Sequence, residues 1–518
     1  MIILTGSPAI LFRFLLHSMR KACILFTVMN VSCFREGVIR MDVLRHTVSI
    51  CPVCLKRIPA DIIEDRGKLY MVKQCPSHGR FRDLYWGDAE SYDRFMAYSN
   101  DAMPPTRDHQ AAFSCPEKCG LCNRHKSSTV FANIDITDRC NQHCPVCFAD
   151  SAGGTGEKDP PLDEIARRMD ALRQSDPPCD VLQLSGGEPT IRNDLFDILK
   201  MAREKGFVQL QIATNGKKLA EDFTFARKMA ESDVDTIYMQ FDGTTPEPYH
   251  RLRGFNGLPQ KIKAIENVRR AGPRPNVVLV PTLVKGVNDH QLGDMVRFAL
   301  DHIDVVRGIN FQPVAFTGRI SEKRRLAARI TIPDVIFSLC SQMADIIHPD
   351  DFLPIPAVRP VLDFFDRTNP GRYPRMNTHP LCGAWTFLIG KGSNAVPLSK
   401  LFRIPALIRE IGEWDPGKKG HMAVTALCRL PRIIRWNRTK NMLLFLHLIK
   451  EAVFRRSMDA VSGLFNNDRI LFLGMMHFQD PYNLDLARLE RCCVHYSTGE
   501  NRIVPFCAHN IFFRKSTI

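Results

Sequence analysis

Between residues 131 and 320 two periodicities take turns. Short apolar runs end near Ile136, Leu184, Ala213, Phe241, Leu283 and Phe311, as strands of a parallel sheet do. Between them apolar residues recur every three or four positions. Leu162, Ile165, Met169 and Leu172 predict one helix face; Leu195, Ile198, Leu199 and Ala202 predict another, with Gly206 placed to close that helix. Six strand–helix repeats predict an α/β fold whose parallel sheet curves into a partial (β/α)6 barrel. Chemistry in such barrels gathers at the C-terminal ends of the strands. The polar and glycine-rich stretches fall there: Cys140 onward, SGGEP from Ser185, TNG from Thr214, QFDG from Gln240 and NFQP from Asn310.

Outside this stretch the rhythm is absent. Residues 46–96 carry Cys51, Cys54, Cys75 and His78 in the pattern C-x2-C-x20-C-x2-H. Two ligand pairs on tight turns, separated by a hairpin in which Leu69 and Val72 alternate with polar neighbours, predict a tetrahedral site for one Zn or Fe ion. Residues 97–130 hold Cys115, Cys119 and Cys122. Residues 321–518 read as an α+β region with Cys382, Cys492 or Cys493, and Cys507 widely spaced. Residues 1–45 are apolar and basic, which fits a targeting or interfacial segment, or an extension upstream of a start at Met41.

Composition narrows the classes. The chain has 518 residues, 45% of them hydrophobic, so a sizeable core is available. No run of about 18 uncharged apolar residues predicts a membrane span. Eighteen cysteines clustered as Cys-Pro-x-Cys point to metals in a reducing, cytoplasmic setting rather than to disulfides. The net charge of +15 favours an anionic partner. Residues 429–456 hold eight Arg or Lys, one Glu and many apolar residues, the pattern of a solvated helix face or of a peripheral membrane-surface contact.

The chemistry centres on residues 132–150, ANIDITDRCNQHCPVCFAD. Cys140, Cys144 and Cys147, at C-x3-C-x2-C spacing after a strand, suit three corners of a [4Fe–4S] cube. The fourth iron is left open to chelate a substrate or cofactor. Cys115, Cys119 and Cys122 repeat the spacing, but no strand precedes them, so they read as ligands of an auxiliary [4Fe–4S] cluster, with Cys382, Cys492 and Cys507 as candidates to complete it or to hold a further one.

With GGEPT at residues 186–190, TNG, FDG, HPLCGAW and PFC downstream, the chain resembles the radical S-adenosylmethionine (SAM) family that includes archaeal tetraether lipid synthase and dihydro-hydroxymethylpterin dimethyltransferases. The resemblance implies a radical SAM barrel, a rubredoxin-like metal module at residues 46–96, one or two auxiliary [4Fe–4S] clusters and an external electron donor. It assigns Cys140, Cys144 and Cys147 to the catalytic cluster. Gly186 and Gly187 then allow close approach of the methionyl part of SAM, Glu188 meets its ammonium and Pro189 fixes the turn. Asn215, Gln240 and Asp242 face ribose or carboxylate, and Arg253 faces the SAM carboxylate. The activity expected is hydrogen abstraction from an unactivated carbon, for carbon–carbon coupling of lipid chains. The alternative is radical methylation of a dihydropterin or another small molecule. An iron–sulfur electron carrier leaves GGEP unexplained, and a zinc-dependent nucleic-acid binder explains only the charge and the first metal motif.

Overall fold

The computed structural model describes residues 42–99, 115–116, 120–151, 159–368, 374–413, 433–435, 470–499 and 502–514. Cys119, and all of the basic stretch 429–456 except 433–435, lie outside the described residues, as does nearly all of the N-terminal extension.

Four strands, β1 (Val43–Ile50), β2 (Arg57–Asp65), β3 (Lys68–Cys75) and β4 (Gly79–Trp86), pair antiparallel in sequence order. β1 starts at Val43, so the module takes in residues 43–45, which the sequence reading left in the extension. In β3 the buried side chains are Leu69, Met71, Lys73 and Cys75. A strand alternates with period two, so Val72, three residues from Leu69, faces the other way. The helix Ala89–Met96 follows, its first turn capped by Asp88, which accepts from Ser91 N at 2.7 Å.

The barrel strands are β5 (Phe131–Thr137), β6 (Val181–Gly186), β7 (Gln209–Thr214), β8 (Thr236–Gln240), β9 (Asn276–Val280), the short β10 (Thr282–Leu283) and β11 (Val306–Pro313). β5 to β9 and then β11 pair in parallel, in chain order. Their outer residues Ile134, Ile136, Leu182, Leu184, Leu210 and Ile212 are fully buried beneath helices such as Leu162–Arg173 and Leu195–Glu204. Ile165, Met169 and Leu172 lie in that core as the periodicity predicts, whereas Leu162, the first helical residue, is 40% exposed. Gly206 follows the second helix with φ +86°, the left-handed turn that glycine adopts without strain.

The sheet does not stop at six strands. β12 (Leu353–Pro354), β13 (Gly383–Ile389), β14 (Val396–Pro397), β15 (Ile470–Met476), β16 (Val494–Ser497) and β17 (Ile503–Pro505) join it. β15 pairs parallel to β11 at one edge, and β16 parallel to β5 at the other. The connection between them, residues 477–493, therefore straps the open side of the partial barrel. No helix among the described residues is long and apolar enough to cross a membrane.

Candidate active site and metal centres

The cysteine loop leaves β5 and is held from three sides. Gly187 N donates to Thr137 O at 2.8 Å and Glu188 N to Arg139 O at 2.9 Å, so the end of β6 is stitched to the loop by backbone. A Cβ on Gly186 (φ +131°) would lie 2.1 Å from Thr137 O, and one on Gly187 would lie 2.2 Å from Arg139 O. Both glycines are thus required by the seam between β6 and the loop. On the far side Cys147 and Arg319 exchange backbone hydrogen bonds at 2.9 Å, and Gly318 (φ +69°) admits the Cys147 and Phe148 carbonyls.

Five residues expected to contact SAM also bond within the protein: Glu188, Asn215, Gln240, Asp242 and Arg253. Glu188, 1% exposed, accepts from Thr190 N, Thr190 Oγ1 and Thr214 Oγ1 at 3.1, 2.6 and 2.7 Å on one oxygen, and from Asn215 N at 2.7 Å on the other. It ties β6 to β7. Arg253 is bidentate to the fully buried Asp242 at 2.7 and 2.8 Å, and also donates to Val146 O and Thr282 Oγ1 at 2.7 and 3.0 Å. It braces the cysteine loop from below. Asn215 donates to Asn141 of the loop at 2.7 Å, and Gln240 to Asp242 at 3.0 Å. Pro189 opens a single 3-10 turn. These residues meet around the loop, where Glu188 and Arg253 hold the scaffold through the carboxylate and guanidinium that the sequence reading assigns to SAM. On β11, Gly308 abuts Phe472 of β15 and Asn310 bonds the Tyr238 hydroxyl.

Lys261 escaped the sequence reading, because a lysine in a helix ordinarily reads as solvated. It is 1% exposed, and its ammonium donates to Asn215 O and Gln240 Oε1. Burial pushes its pKa down to about 8. Burial likewise pushes the Cys140 thiol up to about 11, and raises that of Cys144. Iron must therefore displace protons from buried thiols to bind. A cavity of about 220 Å³ opens beside Cys147, lined by Phe148, Arg253, Gln312, Val314 and the strap residue Phe478. Three half-buried thiols on one backbone-braced loop fit an iron–sulfur cluster with an open corner.

The inner face of the barrel is polar from strand to strand. Asn133, Gln183 and Gln211 are register neighbours on β5, β6 and β7. Gln183 Nε2 donates to Asn133 Oδ1 at 2.9 Å, and Ser185 Oγ to Asp135 Oδ1 at 2.7 Å. Asn133 Nδ2, Gln183 Oε1 and Gln211 Oε1 are buried without a partner among the described residues.

In the N-terminal module, Cys51, Cys54, Cys75 and His78 bring one donor atom each within 4.8 Å of the others. The Cys54 and Cys75 sulfurs are 3.9 Å apart; His78 Nδ1 lies 3.6 Å from Cys51 Sγ and 3.4 Å from Cys75 Sγ. Metal–sulfur bonds of about 2.3 Å at tetrahedral angles imply sulfur separations near 3.8 Å, so the quartet fits one Zn or Fe ion.

Cys115, Cys382, Cys492, Cys493 and Cys507 gather at the strap. Cys115 and Cys507 share a small apolar cluster with Leu486 and Leu489. Burial, and then charge on Cys507, Cys493 and Cys382, pushes the Cys492 thiol well above its ordinary range. Segment 120–131 runs along 490–493, with Lys126 N bonded to Glu490 O and Val130 N to Cys493 O.

A parallel partial barrel with an open-cornered cysteine loop at its mouth defines a class of cluster enzymes, and the comparisons agree. The radical SAM superfamily pattern matches residues 134–299, and that of the HMPTM N-terminal zinc ribbon domain matches residues 43–87. The chain is 41% identical to 7,8-dihydro-6-hydroxymethylpterin dimethyltransferase of Methanocaldococcus jannaschii over 91% of its length and 94% of that protein. It is 28% identical to GTP 3',8-cyclase of Limosilactobacillus fermentum over 45% of this chain and 67% of that one. Among solved structures, Streptococcus suis SuiB bound to SAM aligns at TM-score 0.34 and 15% identity, over 42% of this chain and 48% of that one; so slight a likeness carries no argument. The chain belongs to the radical SAM superfamily. Membership implies a [4Fe–4S] cluster and SAM.

Proposed function

We propose that this radical SAM enzyme transfers methyl groups to a polar heterocycle of the dihydropterin kind, in place of the lipid-chain coupling first expected. The observation that carries the reading is the barrel's inner face. A hydrocarbon tail in that space would leave Asn133 Nδ2, Gln183 Oε1 and Gln211 Oε1 desolvated and unpaired, at a cost of about 1–3 kcal/mol for each. A heterocycle with ring N–H and C=O groups supplies those partners. The name of the 41%-identical relative supports the same substrate class, and nothing in the comparisons favours lipid.

When bound, the cluster would supply one-electron reductive cleavage of SAM, the electron coming from an external donor. The chain's own residues do the rest. Cys140, Cys144 and Cys147 would hold the cluster. Gly186 and Gly187 keep the β6 end against the loop, Arg253 and Asp242 brace it, and Phe148 and Phe478 give the cavity beside Cys147 apolar walls. Lys261, whose ammonium forms no ion pair among the described residues and bonds Asn215 O and Gln240 Oε1, is placed to meet a carboxylate.

The test is anaerobic reconstitution with SAM and a strong reductant, scoring 5'-deoxyadenosine by mass spectrometry against Cys140→Ala. Stimulation by a dihydropterin, with methylated product, supports the proposal. Stimulation by diacyl- or dialkyl-glycerol phospholipid alone overturns it in favour of lipid coupling.

A further inference from the structure

The strap carries a cation that forms no ion pair among the described residues. Arg488, on the short helix Leu486–Leu489, is 1% exposed. Its Nη2 donates to His477 O at 2.9 Å. Its Nε and Nη1 are buried and meet no hydrogen-bond partner among the described residues, and no described carboxylate forms an ion pair with it. Guanidinium is not deprotonated in proteins, and an isolated buried charge costs several kcal/mol. A folded chain that keeps such a group has an anion for it.

The surroundings name that anion. His477, which accepts from Arg488, donates its own N–H to Cys382 O at 2.9 Å. Two residues on, Gln479 N donates to Cys507 Sγ at 3.3 Å. Four residues past Arg488 comes Cys492, whose N–H bonds Leu489 O at 3.1 Å. The strap that bears the guanidinium therefore meets Cys382 and Cys507, drawn from distant parts of the chain, and itself carries Cys492. Against the effect of burial, charge on Cys382 is the strongest influence that raises the guanidinium's pKa. Neutral thiols do not satisfy a guanidinium. Thiolates around a [4Fe–4S] cube do: the assembly carries net negative charge, and gains one more on reduction.

We propose that Arg488 is the positioning residue that charge-balances an auxiliary [4Fe–4S] cluster on Cys382, Cys492 and Cys507, and sets its reduction potential. This rests on reading those cysteines as cluster ligands. The direction follows from electrostatics. A fixed positive charge with N–H groups toward the sulfurs stabilises the reduced, more negative cluster and raises its potential. Removing the charge lowers it. The radical SAM cluster, held on a separate loop, stays as it was.

The experiment uses the full chain, reconstituted anaerobically, as wild type, Arg488→Gln, Arg488→Lys and Cys382→Ala. Iron and sulfide are counted per chain, and each cluster signal is followed by EPR during a reductive titration, with and without SAM to mark the radical SAM cluster. In Arg488→Gln we expect the SAM-insensitive signal to shift at least tenfold toward its oxidised form, about 59 mV lower for a one-electron couple, with the SAM-responsive signal unmoved. Arg488→Lys keeps the charge but loses the planar fork, and gives a smaller shift in the same direction. An unchanged midpoint at full iron content, in whichever variant folds, overturns the role of Arg488. Equal iron in wild type and Cys382→Ala overturns the ligand reading itself, a separate and recognisable failure.

Discussion

At the scale of single residues, the site is built from groups committed to one another. The Arg253–Asp242 pair is the clearest case, since the carboxylate is fully buried. Arg253→Met would strand it and cost about 3–5 kcal/mol, read by urea unfolding; the double change Arg253→Met with Asp242→Leu recovers most of that loss, because no charge is left unpaired. Lys261 makes a pH prediction. Its folded pKa, about 8, lies below the 10.5 of an ordinary lysine because of burial. The unfolded chain therefore binds that proton more tightly, and stability rises as pH climbs from about 8 to 10.5. The full difference is about 3 kcal/mol. Unfolding series at pH 8 and 10 should give a shallower rise in Lys261→Met than in wild type; parallel rises would show that Lys261 is not the group responsible.

At the scale of elements, the decisive feature is the seam where the end of β6 meets the cysteine loop. Gly186→Ala puts a methyl 2.1 Å from Thr137 O at a backbone angle of +131°. Left-handed strain and the clash add at one point, so we expect at least about 1–3 kcal/mol of destabilisation. Cluster loading, read as iron per chain, should fall with it, because the loop loses its backbone partner. Full loading in Gly186→Ala would mean the loop holds its shape without the seam. The same seam explains a difference from expectation. GGEP was read as a surface for SAM, yet Gly186, Gly187 and Glu188 first of all close backbone and side-chain bonds within the scaffold. A motif tells which residue types stand together, while the identity of each partner depends on which strand end lies alongside.

At the scale of the molecule, the metal module is fastened to the strap through buried polar groups. Asp485, fully buried, accepts from Arg45, from Thr47 Oγ1 at 2.7 Å and from Tyr85 OH at 2.6 Å. Ser49 Oγ donates to Leu484 O at 2.6 Å, and Lys73 Nζ to Pro481 O at 2.7 Å. Asp485→Ala leaves a buried arginine, a threonine and a tyrosine without their acceptor. We expect loss of several kcal/mol and faster proteolytic release of the module, while zinc or iron stays at one per module because the quartet lies within β1 to β4 and their turns. Loss of that metal along with docking would show that the strap, rather than the hairpins, shapes the ligand set.

The local rules of the chain were enough for much of this. Period-two and period-3.6 patterns determined the six barrel strands and the buried faces of their helices, because burial on one side writes itself into a single segment. Spacing determined the quartet at Cys51, Cys54, Cys75 and His78 and the loop at Cys140, Cys144 and Cys147, since ligands on one turn are close whatever the rest does. Tertiary structure alone decided what depends on distant segments. It placed β15 and β16 at opposite barrel edges, drew Cys382, Cys492 and Cys507 together across 125 residues of chain, buried Lys261 and Arg488, and turned Asn133, Gln183 and Gln211 toward one polar interior. None of these has a local signature: an edge strand, a desolvated cation and a lumen-facing amide look like their ordinary counterparts until the sheet closes around them.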